Sequence, residues 1–331
     1  VIVAGATGFT GALAAHLLWR HPDFELVAVT GRSEQGRQLQ DVYPRYRVPL
    51  VIEPLELERL GGIDAAVVAY PHAAAAPTVA ALRELGARVV DLSADFRLRS
   101  LSAYEQWYGE HPRPELLEDA VYGLTELHRE RIADAAIVAN PGCYPTASLL
   151  ALAPLARAGL IADVVIDAKQ GISGAGRVFD ETTHLSMAGE NIVPYKVAAH
   201  RHTPEIEEQL HALDPARPEL RVQFQAHLVP LDQGEMASCY VTTTSPVAAE
   251  ELRAMYADAY DDEPFVELVE RPPGVLEVRE TNFCRVFAAA DEHTGKVIAF
   301  GSIDNLWKGT SSQAVQNLNL MFGLPETRGL L

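Results

Sequence analysis

Cysteine is scarce in this chain: Cys143, Cys239 and Cys284 are three in 331 residues, widely spaced and in no CxxC. An odd, scattered set argues against a disulfide framework and against a thiolate metal site, so no metal is expected. Basic residues are also few, 27 Lys and Arg against 45 Asp and Glu, for a formal net charge of -18. Without a Lys/Arg-rich stripe to neutralise phosphates, nucleic acid is not an expected partner. Long apolar runs are missing too. The longest uncharged stretch, Ala135 to Ala156, is interrupted by Pro141, Gly142, Pro145 and Pro154. It cannot form a spanning helix, and no membrane partner is expected. Val1 opens directly in an apolar run without a signal-peptide pattern, and a few residues are expected before it. What is present is ordinary globular composition, 48% hydrophobic and 22% charged, with length for one large or two medium domains. A soluble, acidic, cytoplasmic protein is expected.

No period of about 20 to 50 residues recurs along the chain. Strand signals at 1–4, 25–30, 63–70, 88–92 and 136–139 alternate with helices at 11–20, where Leu13, Leu17 and Leu18 share a face, and in an Ala-rich segment ending near Gly86. Such alternation predicts a parallel, doubly wound sheet with both faces covered. After a helix at about 146–158 the pattern changes. Strand-like runs at 164–169, 220–230, 235–244, 276–279, 284–290 and 297–302 follow, with amphipathic segments at 205–213 and 248–260. They predict an α+β domain with a largely antiparallel sheet. A final helix, about 312–322, is expected to return to the first domain. The expected division is a Rossmann-type, nucleotide-binding domain over 1–143, joined by the C-terminal segment about 304–331, and an α+β catalytic and dimerisation domain over 144–303.

Gly5-Ala6-Thr7-Gly8-Phe9-Thr10-Gly11 lies between the first strand and first helix, spaced GxxGxxG rather than the commoner GxGxxG. Glycines there permit a tight turn and close backbone approach, and the helix N-terminus offers N–H groups to a pyrophosphate. A glycine turn can also be a plain connection, but its place at the first βα turn favours a dinucleotide. After the second strand the chain reads Thr30-Gly31-Arg32-Ser33, with no acid for a ribose hydroxyl and a guanidinium about where a 2′-phosphate would sit. That favours NADP over NAD, with Arg32 as a solvated loop charge the alternative.

Asn140-Pro141-Gly142-Cys143-Tyr144-Pro145-Thr146 precedes the helix carrying Leu149, Leu150, Leu152 and Leu155. Cys143 is thus expected at a helix entrance, where the dipole and open N–H groups stabilise a thiolate. A drop in pKa from about 8.5 to about 6 makes thiolate the major form at neutral pH. Cys239 and Cys284, inside strand-like sequence, fit the commoner fate of a buried structural cysteine. A catalytic thiol needs a proton partner, and His200-Arg201-His202-Thr203-Pro204-Glu205 offers two histidines at a helix entrance. Their spacing does not fit a zinc-binding HExxH helix, and a surface or core role stands as the alternative. Arg201 offers a cation for carboxylate or phosphate. Gly171-Ile172-Ser173-Gly174-Ala175-Gly176-Arg177 is either a turn or an anion cradle of backbone N–H groups. Asp91 to Leu98 follows a strand end, where ligands bind in open α/β sheets; Arg97 there is a substrate-binding candidate or a partner for Asp91 or Asp95.

Taken together, Gly5–Gly11, Asp91–Leu98, Val138–Pro154, Gly171–Arg177, Tyr195–Ile206 and Asp304–Asn317 resemble the N-acetyl-gamma-glutamyl-phosphate reductases, within the aspartate-semialdehyde dehydrogenase-like superfamily. The resemblance covers nearly the whole chain, and Pro-Gly-Cys-aromatic-x-Thr is its most specific segment. It implies NADPH-dependent reduction of a small-molecule acyl phosphate to an aldehyde in arginine biosynthesis, by a homo-oligomer, dimer or tetramer. It further implies Cys143 as nucleophile and His200 as general acid/base, oriented or tuned by Glu205, with His202 the fallback. Arg97, Arg177, Arg201 and the Ser173-Gly174 loop would hold substrate carboxylate or phosphate. Pro71-His72 would lie against the cofactor, and Asn305 would meet the nicotinamide carboxamide. Ser312 stands where the family usually has glycine, which removes a permissive backbone position.

A lysine-pathway counterpart acting on an aminoadipyl or glutamyl phosphate held by an acidic carrier protein shares these motifs, although a net charge of -18 suits such a partner poorly. A short-chain dehydrogenase needs Tyr-x-x-x-Lys, and none of Lys169, Lys196, Lys296 and Lys308 has tyrosine four residues before it. A non-catalytic NADP-binding sensor would leave Cys143, His200 and the glycine-rich loop without use.

Overall fold

The computed structural model describes residues 1–177 and 181–331, which divide into two compact units, Val1–Gly142 with Thr310–Leu331 and Cys143–Gly309. In the first unit the chain runs β1 (Ile2–Ala4), α1 (Phe9–Trp19), β2 (Ala28–Thr30), α2 (Leu39–Val42), β3 (Ile52–Glu53), β4 (Ala65–Val68), α3 (Ala75–Glu84), β5 (Arg88–Asp91), α4 (Leu101–Tyr108), β6 (Ala120–Tyr122), α5 (Thr125–Ala133) and β7 (Ile137–Ala139). These strands form one parallel sheet in the order β3-β2-β1-β4-β5-β7-β6. Strand β1 is central, with Ala4 between Thr30 and Val68, and the order reverses direction beside it. Ligands of open α/β sheets bind at that switch point, outside the strand carboxyl ends. The strands are short apolar runs because both faces are covered: Ile2, Ala4, Ala66, Val68, Val89, Ile137 and Ala139 share a core with Ala76, Val79 and Leu82 of α3.

The second unit contains α6 (Cys143–Arg157), β8 (Ile161–Gly171), α7 (Leu185–Ala188), β9 (Val193–Tyr195), α8 (Thr203–Leu213), β10 (Val222–Val229), β11 (Glu235–Thr243), α9 (Ala249–Tyr260), β12 (Val266–Leu268), β13 (Cys284–Asp291) and β14 (Lys296–Ile303); α10 (Ser312–Met321) then belongs to the first unit. The sheet order is β12-β13-β14-β11-β8-β10-β9. Pairings β8–β11, β11–β14, β13–β14 and β9–β10 are antiparallel, while β8–β10 and β12–β13 are parallel. Period-two patterning shows in the second half of β11, where Cys239 and Val241 are fully buried and Tyr240 between them is exposed, while Ser238 is buried too. Helix α6 is buried from Tyr144 to Ala156 and is accordingly apolar on all sides apart from Thr146 and Ser148 in its first turns. Pro154 within it has no N–H for the Leu150 carbonyl, and the Tyr260 hydroxyl donates to that carbonyl instead. The Tyr256 hydroxyl also donates to Ala151 O, at 2.5 Å.

Three sequence expectations change. Residues 276–279 are not a strand: Val275–Glu277 is a short 3-10 turn with Leu276 69% exposed, an apolar residue that marks no core. Cys143 opens α6 itself, three residues before the expected start. Ser312, where glycine is usual, is the buried first residue of α10 and is not among the positive-φ residues, so serine is accommodated there.

Candidate active site

In the first unit, the loop after β1 is built for close backbone approach. Gly5 has φ 95°, and a Cβ there would lie 2.7 Å from Ala69 O. A Cβ at Gly11 would lie 2.2 Å from Gly5 O. Side chains are thus excluded where a pyrophosphate would need contact with backbone, and Gly8 precedes α1 with no side-chain cap on the helix N–H groups. The loop fits a dinucleotide. Gly5 and Ala6 donate to Thr30 O, both at 2.9 Å, and Ser33 Oγ reaches Thr7 Oγ1 at 3.3 Å, which joins this loop to the one after β2. Phe9 and Thr10 open α1. Arg32 is exposed, with its guanidinium carbon 5.2 Å from the Tyr70 ring centroid. Further along, Asp95 accepts from Ala73 N and Ala76 N at 2.8 and 2.9 Å, and so holds the turn that carries Pro71 and His72 into α3.

In the second unit, Cys143 is partly exposed while Cys239 and Cys284 are fully buried. The Gln170 amide nitrogen donates to Cys143 Sγ at 2.9 Å and to Glu235 Oε2 at 2.8 Å. The register of β8 and β11 sets Gln170 directly opposite Glu235. Gly309 closes the other side, where a Cβ would come within 2.8 Å of Cys143 Cβ. Burial pushes the Cys143 thiol well above its ordinary pKa, and the nearby Glu235 carboxylate pushes the same way. The thiolate expected from the helix entrance is therefore not the resting form: desolvation and a neighbouring acid outweigh the N-terminal dipole. Glu235 is itself raised to about 8, chiefly by burial, so it carries a proton at neutral pH.

His200 lies among Tyr144, Tyr195, His202 and Phe224, with ring centroids 5.4, 5.5, 5.0 and 4.9 Å away. Its Nδ1 accepts from His202 N at 3.2 Å. This aromatic enclosure lowers its pKa to about 3, with Lys196 adding to the fall, and leaves the imidazole neutral. Glu205 is buried in the first turn of α8, but the charge that tunes His200 is Lys196. The Tyr195 hydroxyl donates to that of Tyr144 at 3.1 Å, and Cys143 and Glu235 both help to raise the Tyr195 pKa, which places Tyr195 within electrostatic reach of both.

Residues 1–135 match the family described as semialdehyde dehydrogenase, NAD binding domain, and 143–305 the semialdehyde dehydrogenase dimerisation domain. An N-acetyl-gamma-glutamyl-phosphate reductase of Moorella thermoacetica is 46% identical over 99% of this chain and 96% of its own length. Its counterpart from Desulforudis audaxviator is 48% identical over 99% and 97%. The chain belongs to the N-acetyl-gamma-glutamyl-phosphate reductase family. Its fold is also that of two solved aspartate semialdehyde dehydrogenases, each covering 97% of both chains at TM-score 0.73. These are the enzyme II of Vibrio cholerae complexed with ASA, at 19% identity, and the Candida albicans enzyme with NADP, at 16%.

Within this reductase-family chain, several residues singled out in the sequence are occupied with holding loops. The Arg97 guanidinium is buried and donates to Leu92 O and Asn140 O, both at 2.8 Å. Ser173 Oγ donates to Asp232 O at 2.6 Å and accepts from Asn305 Nδ2 at 3.1 Å, while Asn305 Oδ1 accepts from Gly234 N at 2.9 Å. The Asn305 carboxamide thus braces the Ser173 turn. That turn is a 3-10 element, Ile172–Ala175, whose Ile172 and Ser173 N–H groups are given to Leu231 O and Asp232 O, so it is a poorer anion cradle than its glycines suggested. Arg177 is exposed; Arg201 and His202 are half-buried beside His200. Sequence reasoning missed Gln170, Glu235, Tyr195 and Gly309. The available signals were an acid opening an apolar strand at Glu235 and a lone Gln-Gly at a strand end. No described helix is long and apolar enough to cross a membrane, and no His/Cys/Asp/Glu cluster among the described residues could hold a metal.

Proposed function

We propose that this protein catalyses the NADPH-dependent reductive dephosphorylation of N-acetyl-gamma-glutamyl phosphate to N-acetylglutamate 5-semialdehyde in arginine biosynthesis. It would act as a cytoplasmic homo-oligomer, a dimer or tetramer. One observation carries the reading: the partly exposed Cys143, opening a buried helix, with its sulfur held by Gln170 beside Glu235. A thiol suits both halves of the reaction, being a good nucleophile and a competent leaving group.

The sulfur loses its proton and attacks the γ-carbonyl carbon; the carbon–oxygen bond to phosphate breaks, phosphate departs and a thioester remains. When bound, NADPH supplies the hydride that reduces this thioester. The resulting thiohemiacetal expels sulfur as the aldehyde forms, and Cys143 regains a proton. Overall, one hydride and one proton are taken up and one phosphate is released. His200 begins neutral, with its basicity weakened by burial, while Glu235 begins protonated. His200 is the proposed acceptor, with His202 beside it. Arg201, and Lys196 near it, would meet substrate carboxylate or phosphate. Gly5, Thr7, Gly8, Phe9, Thr10 and Gly11 would hold the pyrophosphate, Arg32 and Ser33 the 2′-phosphate, and Pro71-His72 the cofactor's far end.

The test runs the reaction backwards, as phosphate-dependent NADP+ reduction with N-acetylglutamate semialdehyde. Wild type should turn over and Cys143→Ser should lose at least about 10^4-fold in rate. Absence of turnover in folded, NADP-binding wild type would overturn the proposal.

A further inference from the structure

Gly174 was a candidate for anion binding, but the space around it points elsewhere. A Cβ built there would lie 2.1 Å from Gln170 Cδ and 2.3 Å from both Nε2 and Oε1. No positive φ is involved, so an L-residue has no backbone reason to be absent. What a side chain would occupy is the path of the Gln170 carboxamide. We infer that Gly174 is a positioning residue: its missing side chain lets one amide group of Gln170 hold Cys143 Sγ and Glu235 Oε2 at the same time.

The geometry makes the amide the part that must yield. The turn carrying Gly174 is fixed: Gly171 N donates to Gly234 O at 2.9 Å, Ile172 N to Leu231 O at 2.8 Å, and Ser173 Oγ to Asp232 O at 2.6 Å. The end of a flexible glutamine moves at far lower cost than a turn anchored at three successive residues. Both partners accept from the same nitrogen, which has only two hydrogens, so the amide has no spare donor with which to compensate for a shift. Moving it releases Cys143 and Glu235 together.

This deepens the reading of Cys143 as nucleophile, and it is tested on the thiol alone. The experiment is a double-mutant cycle on the rate of Cys143 alkylation by iodoacetamide, followed from pH 6 to 10 by mass spectrometry of the intact protein without substrate or cofactor. A hydrogen bond to a thiolate favours the reactive form. Gly174→Ala and Gln170→Ala should each slow alkylation about tenfold at pH 8, and by a similar factor wherever the thiol remains the main form. The doubly substituted protein should be no slower than Gln170→Ala, because no amide is left to displace. A Gly174→Ala protein that alkylates like wild type, or one that is slowed equally in the Gln170→Ala background, would overturn the inference. Were Gly174→Ala to misfold, folding of the double variant would place the clash on Gln170, whereas misfolding of both would assign Gly174 to the backbone and sink the idea. Wild type without reductase turnover but with this cycle intact would remove the proposed reaction and leave the positioning role in place.

Discussion

Asp95 in the first unit and Glu235 in the second are both carboxylates with no solvent exposure, and the protein treats them in opposite ways. Asp95 accepts from Ala73 N, Ala76 N and the Tyr104 hydroxyl, all within 2.9 Å, so both its oxygens are supplied. Glu235 receives the Gln170 amide on Oε2 and pairs with the Cys143 thiol, while its Oε1 is buried with no hydrogen-bond partner among the described residues. A satisfied buried carboxylate is scaffold: it fixes a turn and asks for nothing more. A half-satisfied one is costly to ionise and is kept where something else depends on it. Asp95 is supplied by its own neighbours, whereas Glu235 keeps one oxygen unmet beside Cys143.

Glu235→Gln breaks that contrast most directly, because it keeps the shape and removes the titration. Turnover should fall by roughly 10^2-fold or more if the carboxyl takes part in proton exchange. Stability should respond in a fixed sense. A carboxyl raised in the folded state to about 8 favours folding while protonated, and that contribution is lost as pH rises from the ordinary carboxylate range through about 8. The difference in Tm between variant and wild type should therefore move in the variant's favour from pH 5 to pH 9. A difference that does not change with pH would show that Glu235 is not held protonated by the fold.

Asp95→Ala tests the other side. It strands two backbone N–H groups and a buried hydroxyl, a loss of about 2–4 kcal/mol in denaturant unfolding. The rate of Cys143 alkylation should be unchanged. A loss below about 1 kcal/mol would mean that Asp95 is not the scaffold its bonds suggest.

The same contrast decides what could be read from the sequence. The glycine loop, the strand–helix alternation and a cysteine at the entrance of an apolar helix are local patterns, and the structure shows each, with the helix starting three residues early at Cys143. Gln170 and Glu235 are 65 residues apart and meet through the register of β8 with β11. No spacing rule foretells such a pair, and the signal each residue carries alone does not name its partner. The ionisation of Cys143 was misread for a related reason. A helix entrance is visible in sequence, whereas the burial and the acid that override it come from the β-sheet. The pKa of His200 is likewise set by burial in the aromatic cage of Tyr144, Tyr195 and Phe224, which nearness in sequence does not reveal.

The smallest expected effect sharpens the picture of a nucleotide site prepared in advance. Arg32 is an exposed loop cation, and such a side chain ordinarily samples many rotamers and forfeits that freedom on binding phosphate. Here its guanidinium rests over Tyr70, whose hydroxyl is 3.3 Å from Thr30 Oγ1, so the ring is fixed to the strand that Arg32 follows. Tyr70→Leu keeps apolar bulk and removes the π face. An exposed cation–π contact is worth about 0.5–1 kcal/mol, so NADPH should bind roughly two- to fivefold more weakly by calorimetry. NADH, which has no 2′-phosphate, should bind unchanged. In an Arg32→Leu background Tyr70→Leu should have no further effect on NADPH. Equal weakening of both cofactors would assign Tyr70 to the pyrophosphate loop it packs on at Gly5, and not to the placement of Arg32.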